Sequence, residues 1–323
     1  MVVAEIALIL VGLAVLLVAG DLLVRGAVGL AAALKIPALI ISLTVVAFGT
    51  SAPEMFVSVS AVLSGANGIA LGNIIGSNIA NILLVLGLPA IIYPISAHVP
   101  GLQRHGLFMI GATAAFAGVA YFLGEIDQRT GAAFFAGIVV YVGYLWIRSQ
   151  MRGTEEPVIH EVEEYAEAAN VSGRTLFFLL AGLIGLPLGA HLLVANASSL
   201  ASSLGVREDV IGLTIVAFGT SLPELATVLA AAFHKKADVA MGSVVGSNIF
   251  NILAVGGAAG LAGTTQFHSD ALQLDIPVMI GAAVIAAWFI FMKRDISRVA
   301  GFLMAATYAS FIAVLAINAG VLH

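Results

Sequence analysis

TVVAFGTSAPE, from Thr44 to Glu54, returns as TIVAFGTSLPE from Thr214 to Glu224, with nine of eleven positions identical. Further along, GNIIGSNIANIL (Gly72 to Leu83) is answered by GSVVGSNIFNIL (Gly242 to Leu253), with eight of twelve identical. The offset is 170 residues in both pairs. A block from about residue 38 to 87 therefore recurs at about 208 to 257 without a slip of register. Such repeats fix architecture before any other signal does. Each copy also carries one carboxylate inside an apolar segment, where an acid is costly and marks a site of function.

Composition sets the surroundings. Of 323 residues, 61% are hydrophobic and only 10% are charged, against roughly 25% charged in soluble domains. A polytopic membrane protein follows. Ten apolar runs are long enough to cross a bilayer as helices: about 3–24, 38–64, 69–93, 104–123, 130–148, 175–200, 208–233, 238–262, 271–292 and 298–320. No run shows the short alternating segments of a membrane β-barrel. There are no cysteines, which removes disulfides and thiolate metal sites. The first run lacks a basic start and a small-residue cleavage site, so it is expected to be a retained helix.

Orientation follows from the basic residues. With the N-terminus outside, inner loops hold Arg25, Lys35, Arg104, Arg148, Arg152, Arg174, Lys235, Lys236, Lys293, Arg294 and Arg298; outer loops hold only Arg129 and Arg207. Both termini are thus expected outside. The repeat offset corresponds to five spans, an odd number, so the copies enter the membrane from opposite sides. Inverted repeats of this kind characterise secondary transporters, with the substrate site near the midplane where the copies meet. The organisation expected is an N-terminal five-helix half, 1–149, and a C-terminal half, 174–323. A solvated inner linker, 150–173, joins them and holds six of the eighteen acids. It lacks the loop spacing of a calcium-binding EF-hand.

On a helix, Ala47, Thr50, Ser51 and Glu54 fall at i, i+3, i+4 and i+7, one continuous face. Ala217, Thr220, Ser221 and Glu224 repeat it. Ser77 and Asn81 lie at i, i+4 on the next helix, as do Ser247 and Asn251. These faces offer oxygens, the donors hard cations such as Na⁺ and Ca²⁺ require, and no His or Cys for a transition metal. Pro53 has no N–H, so the Gly49 carbonyl loses its helical partner; Pro223 does the same to Gly219. Unwinding is also expected at Gly76-Ser77-Asn78 and Gly246-Ser247-Asn248. Four interrupted helices would then converge at the midplane, where freed carbonyls are tolerated only if they line a cavity.

Charge arithmetic gives the site a purpose. A carboxylate at the centre of a spanning helix costs about 2.5–3.5 kcal/mol on the lenient insertion scale. Two facing each other also repel until a cation or proton arrives. One Ca²⁺ cancels both charges, as do two Na⁺ or two protons. A site near neutrality only when loaded crosses loaded and resists crossing empty, which is the requirement for exchange. Protonated structural acids would have no reason to recur with their Thr, Ser and Pro context. Outside the repeats, Asp21 and Arg25 read as an i, i+4 pair. His191, the counterpart of Asp21, reads as a buried and satisfied histidine. His98, His105, His160, His234, His268 and His323 fall in or beside loops.

The paired G-T-S-x-P-E and G-S-N-I-x-N motifs resemble the two α-repeats of the sodium/calcium exchangers, within the calcium/cation antiporter superfamily. The resemblance implies that Glu54 and Glu224 bind Ca²⁺ and share Na⁺, with Thr50 and Thr220 as further calcium ligands. It implies flanking sodium sites at Ser51, Ser77, Ser221 and Ser247 with the carbonyls of Ala47 and Ala217, and Asn81 and Asn251 completing the centre. It also implies alternating access, the first and sixth helices sliding over a compact core. Some relatives, including the potassium-dependent branch, have Asp where this chain has Asn251, which argues against potassium co-transport.

A Na⁺/Ca²⁺ antiporter in the plasma membrane is the leading expectation, and a Ca²⁺/H⁺ antiporter using the same glutamates is the alternative. Hydroxyl-rich flanks favour sodium, since a proton needs no cage of oxygens. An intramembrane hydrolase would need two acids held unequal, which symmetric copies oppose, and no G-x-S-x-G elbow is present. A passive channel would use open rings of ligands for knock-on conduction. No cofactor, no enzymatic activity and no nucleic-acid partner are expected. Ca²⁺, Na⁺ and the lipid bilayer are the expected partners, of a monomer.

Overall fold

A computed structural model describes residues 2–34, 36, 38–65, 67–151, 172–203, 219–267, 269 and 271–318. The helices are α1 (Val2–Leu34), α2 (Ala38–Thr50), α3 (Ala52–Leu63), α4 (Asn67–Ile92), α5 (Leu102–Leu123) and α6 (Gln128–Met151). They continue with α7 (Gly173–Ser203), α8 (Leu222–Phe233), α9 (Ala237–Ala262), α10 (Ala271–Phe291) and α11 (Arg298–Asn318). Among the described residues, eight helices are long and apolar enough to cross a membrane, and α2 with α3 makes a ninth as a bent pair. The tenth expected run, 208–233, is described only from residue 219 onward, so its first half lies outside the described residues, as does most of the acidic linker.

The sequence places α1 and α7 as partners, and small residues let them meet closely. A Cβ on Gly182 would come 2.6 Å from Leu23, and one on Gly12 would come 2.7 Å from Leu193. Those two contacts are images of each other under the 170-residue offset. Near the other end Gly29 faces Thr175, so the helices run antiparallel. An antiparallel pair formed by equivalent helices is what opposite membrane orientation of the two copies requires. Small residues at such crossings let backbones approach and gain dispersion contacts, which drive association where lipid removes the hydrophobic force. At 33 residues α1 is about 50 Å long and runs ten residues beyond the expected end at 24. Its C-terminal end stays helical because the partner crossing continues there, through Gly26 against Leu179 to Gly29 against Thr175.

Behind this pair, α4 and α9 are the most enclosed spans. Gly246 on α9 has the Cβ of Ala47 2.7 Å and the Cα of Leu43 2.9 Å from where a side chain would begin, so α9 presses on α2. Outward-facing side chains such as Leu10, Phe122, Trp146 and Phe302 are exposed, as expected of a surface solvated by lipid tails. Two short pairings tie loops together: β1 (Glu125–Ile126) antiparallel to β2 (Thr265–Gln266), and Ile95 bridging Ile296.

Three local expectations change. The Gly-Ser-Asn steps do not unwind; α4 and α9 stay regular through them and widen into π-helical turns just beyond, at Asn81–Leu86 and Asn251–Val255. At Gly246 the glycine serves close approach between helices instead. His191 is exposed rather than buried, because it points away from the α1 crossing. His105 lies inside α5, buried, with its Nδ1 3.2 Å from the Tyr141 hydroxyl.

Gly182→Val should therefore force α1 from α7. Overpacking of this kind costs about 1–3 kcal/mol, so the thermal midpoint in detergent should fall by several degrees. Gly143→Val, with no neighbouring atom within 4 Å of its Cβ position, should leave it unchanged.

Candidate functional site

Where α2 passes into α3 the axis bends by 43°. The break falls at Ser51, whose φ is −85° and ψ 1°, away from the ψ near −42° of a helix. Ser221 before α8 has φ −88° and ψ 3°, the same conformation in the second copy. Pro53 and Pro223 then sit in the first turns of α3 and α8, where a missing N–H costs nothing. The expected single helical face is accordingly interrupted: Ala47 and Thr50 belong to α2, Glu54 to α3. The break puts Glu54 and Glu224 in the first turns of new helices, where unpaired N–H groups favour negative charge.

The side chains converge from both copies. Glu54 is 1% exposed and Glu224 fully buried, and the Glu224 carboxylate lies close enough for its charge to act on Glu54. Ser51 Oγ donates a long hydrogen bond of 3.5 Å to Glu224 Oε1. Thr50 Oγ1 lies 3.3 Å from Ser247 Oγ and donates to the Ala47 carbonyl at 3.3 Å. That carbonyl also accepts the Ser51 N–H. Ser77, Asn81, Ser221 and Asn251 are buried as well, and Thr220 is half-buried. Ala217 lies outside the described residues.

Several of these oxygens have no hydrogen-bond partner: both of Glu54, Oε2 of Glu224, and the side-chain amide oxygens of Asn81 and Asn251. Buried polar atoms are ordinarily satisfied, and those that are not call for an explanation such as a bound ion. Among the described residues neither glutamate forms an ion pair, so no Lys, Arg or His neutralises them. No group of three or more His, Cys, Asp or Glu occurs there either. Two carboxylates with neutral oxygens around them suit a hard cation, Na⁺ or Ca²⁺, and not a transition metal.

Sequence reasoning passed over three residues nearby. Asn248 Nδ2 donates to the Asn78 carbonyl at 3.3 Å; the two are equivalent under the repeat, so this bond marks the pseudo-twofold axis between α4 and α9. Both were visible as identities in the repeated Gly-Ser-Asn step. Asn73 bonds to α3, and its counterpart is Ser243, so the repeat gave no signal. Elsewhere, Asp21 pairs with Arg25 as expected, at 2.9 Å, and also bonds His234, which joins α1 to the end of α8.

Known proteins place this arrangement. The family model described as sodium/calcium exchanger protein matches residues 4–149 and 174–317. The chain is 35% identical over 308 residues to the putative antiporter CaxA of Alkalimonas amylolytica, covering 94% of this chain and 96% of that protein. It is 30% identical to the sodium/calcium exchanger MaX1 of Methanosarcina acetivorans, over 98% of this chain and 99% of that one. Among solved structures, the sodium-calcium exchanger NCX_Mj soaked with Na⁺ and Ca²⁺ superposes with a TM-score of 0.82 at 31% identity, covering 97% of this chain and 99% of that chain.

Thr50→Val, close in shape but without the hydroxyl, removes the bond to Ser247. Ser51→Ala removes the donor to Glu224. At about 1 kcal/mol or more per bond, each should raise the Ca²⁺ concentration needed for thermal protection in detergent by roughly five- to tenfold. An unchanged concentration would mean that the hydroxyls are not used.

Proposed function

The chain belongs to the sodium/calcium exchanger family, and from that premise we propose that it exchanges Na⁺ for Ca²⁺ by alternating access at a midplane site built on Glu54 and Glu224. The observation that carries this is the meeting of two buried carboxylates, one from each inverted copy, with partnerless oxygens and, among the described residues, no cationic side chain paired to them. Thr50, Thr220, Ser51, Ser221, Ser77, Ser247, Asn81, Asn251 and the carbonyls of Ala47 and Ala217 supply the neutral oxygens.

The physics of exchange follows from that charge. Repulsion between the glutamates and the cost of a charged pair in hydrocarbon hold the unloaded site in place. Ca²⁺ neutralises both carboxylates, as does a set of Na⁺ ions, and the loaded site is then free to change its exposure. Sliding of α1 and α7 over the remaining helices provides that change. If more than two Na⁺ balance one Ca²⁺, each cycle moves charge worth about 2.3 kcal/mol per elementary charge per 100 mV. The halves 1–149 and 174–323 act as mirror-related units joined by the inner linker 150–173. The basic-residue count supports both termini lying outside, in what we take to be a plasma membrane, with one chain supplying the whole site.

Sodium rather than protons is supported by the hydroxyl of Ser51, which donates to Glu224, and by those of Thr50 and Ser247, which face each other across the copies, although a proton has no need of them. Potassium is not expected as a co-ion, because Asn251 brings no third charge.

Calcium flux into proteoliposomes under separately imposed Na⁺, K⁺ and H⁺ gradients tests this. An outward-directed Na⁺ gradient should drive ⁴⁵Ca²⁺ uptake, and a K⁺ gradient should not. Uptake driven by a pH gradient and indifferent to Na⁺ would replace sodium by protons. Glu54→Gln and Glu224→Gln should each abolish flux while the protein remains monodisperse; retained flux in either would make that acid structural.

A further inference from the structure

The two glutamates are equivalent in the repeat but are not held alike. Glu224 takes a hydrogen bond from Ser51 of the other copy. The mirror bond, from Ser221 to Glu54, is absent: Ser221 Oγ and both Glu54 carboxylate oxygens have no partner. What the Glu54 side has instead is a hold on its backbone. Asn73, on the second turn of α4, donates through Nδ2 to the Glu54 carbonyl at 3.0 Å and to Ser58 Oγ at 2.9 Å. One amide carries two N–H bonds, so a single side chain bridges two successive turns of α3.

The second copy cannot make this bridge. Offset by 170 residues, Asn73 becomes Ser243 and Ser58 becomes Val228. A serine side chain reaches one bond less far than asparagine and has a single O–H to donate, and the Ser243 hydroxyl is buried without a partner. Valine offers no acceptor at all. Sequence and geometry therefore agree that α3 is fastened to α4 where α8 has no such fastening to α9.

We infer that Asn73 is a positioning residue for cation binding: it fixes the first turn of α3 against α4, and so sets where the Glu54 carboxylate stands relative to Ser77 and Asn81 on the same helix. This rests on Glu54 being a cation ligand, as proposed above. Asn73 itself touches no ion. Its amide acts through the Glu54 backbone, in the first turn of α3 just past the break at Ser51. Glu224 depends on a side-chain bond across the copies instead, so the two carboxylates respond differently to loss of their supports.

The test separates binding from turnover in the full chain. Asn73→Ala and Asn73→Ser, the latter installing what the second copy already has, should raise the KM for Ca²⁺ uptake in proteoliposomes roughly five- to tenfold, with the maximal rate nearly preserved. Ser58→Ala, which removes one acceptor and leaves Asn73 in place, should give a smaller rise in KM. Ser243→Ala should change neither constant. Calcium-dependent thermal protection in detergent should weaken in step with KM, and adding Asn73→Ala to Glu54→Gln should weaken it no further. A lowered thermal midpoint without calcium, at unchanged KM in both Asn73→Ser and Ser58→Ala, would make the bridge merely structural and overturn the inference. If Glu54→Gln itself binds calcium as the native protein does, it is the role of Glu54 that fails, whatever the Asn73 variants show.

Discussion

Two buried carboxylates, one from each copy, with no compensating positive side chain among the described residues, are the constraint to which the rest of this structure answers. Burying one charge at the centre of a spanning helix already costs about 2.5–3.5 kcal/mol on the lenient scale. Placing the second beside it adds repulsion in a medium that screens poorly. A protein that only needed to be stable would remove one partner or pair it with a base. Here the polar groups brought near them are neutral hydroxyls and amides, and the glutamates lie in the first turns of new helices, where N–H groups favour negative charge. The arrangement is inexpensive only with a cation in it, so the energetic penalty is the device that makes occupancy and movement interdependent.

That logic needs one part of the molecule to be firm and another to slide. Firmness lies with α4 and α9, the most enclosed helices, crossing at the Asn248–Asn78 bond on the pseudo-twofold axis. The pair proposed to slide meets differently: along the seam between α1 and α7, Gly12, Gly26, Gly182 and Gly189 bring backbone close to backbone, with Leu23 seated against Gly182 and Leu16 against Gly189, both buried. Helices joined this closely would move as one unit. The Asp21–His234 contact is the polar exception, linking α1 to the end of α8.

The sequence carried the architecture because inverted repeats leave a periodic signature that neither lipid nor packing can blur. Equal offsets in two motif pairs gave the duplication, and an odd number of spans gave its inversion; α1 antiparallel to α7 is the direct result. Local backbone geometry was less legible. The motif T-S-x-P-E announces a break, but composition cannot say whether it falls at Gly49 or at Ser51, since both glycine and proline loosen the turn between them. The Gly-Ser-Asn step looked like unwinding, yet the glycine at Gly246 admits Ala47 and Leu43, and the helix widens only beyond it. A glycine reports freedom, and only the neighbours decide what the freedom is for. Asn73 was illegible for the opposite reason: symmetry drew the eye to what repeats, and Asn73 matters where the copies differ.

Those differences bear on how an inverted repeat does work. Were the copies identical in every contact, the inward-open and outward-open forms would be images of each other and equal in energy. Direction could then come only from the ion gradients. A backbone bridge at Asn73 on one side, and a side-chain bond from Ser51 to Glu224 on the other, break that equivalence in the contacts around the two glutamates. Even one hydrogen bond of about 1 kcal/mol present in only one form would bias their populations several-fold. Departures from symmetry are thus where a resting preference between the two forms would arise, whatever ions the proposed exchange carries.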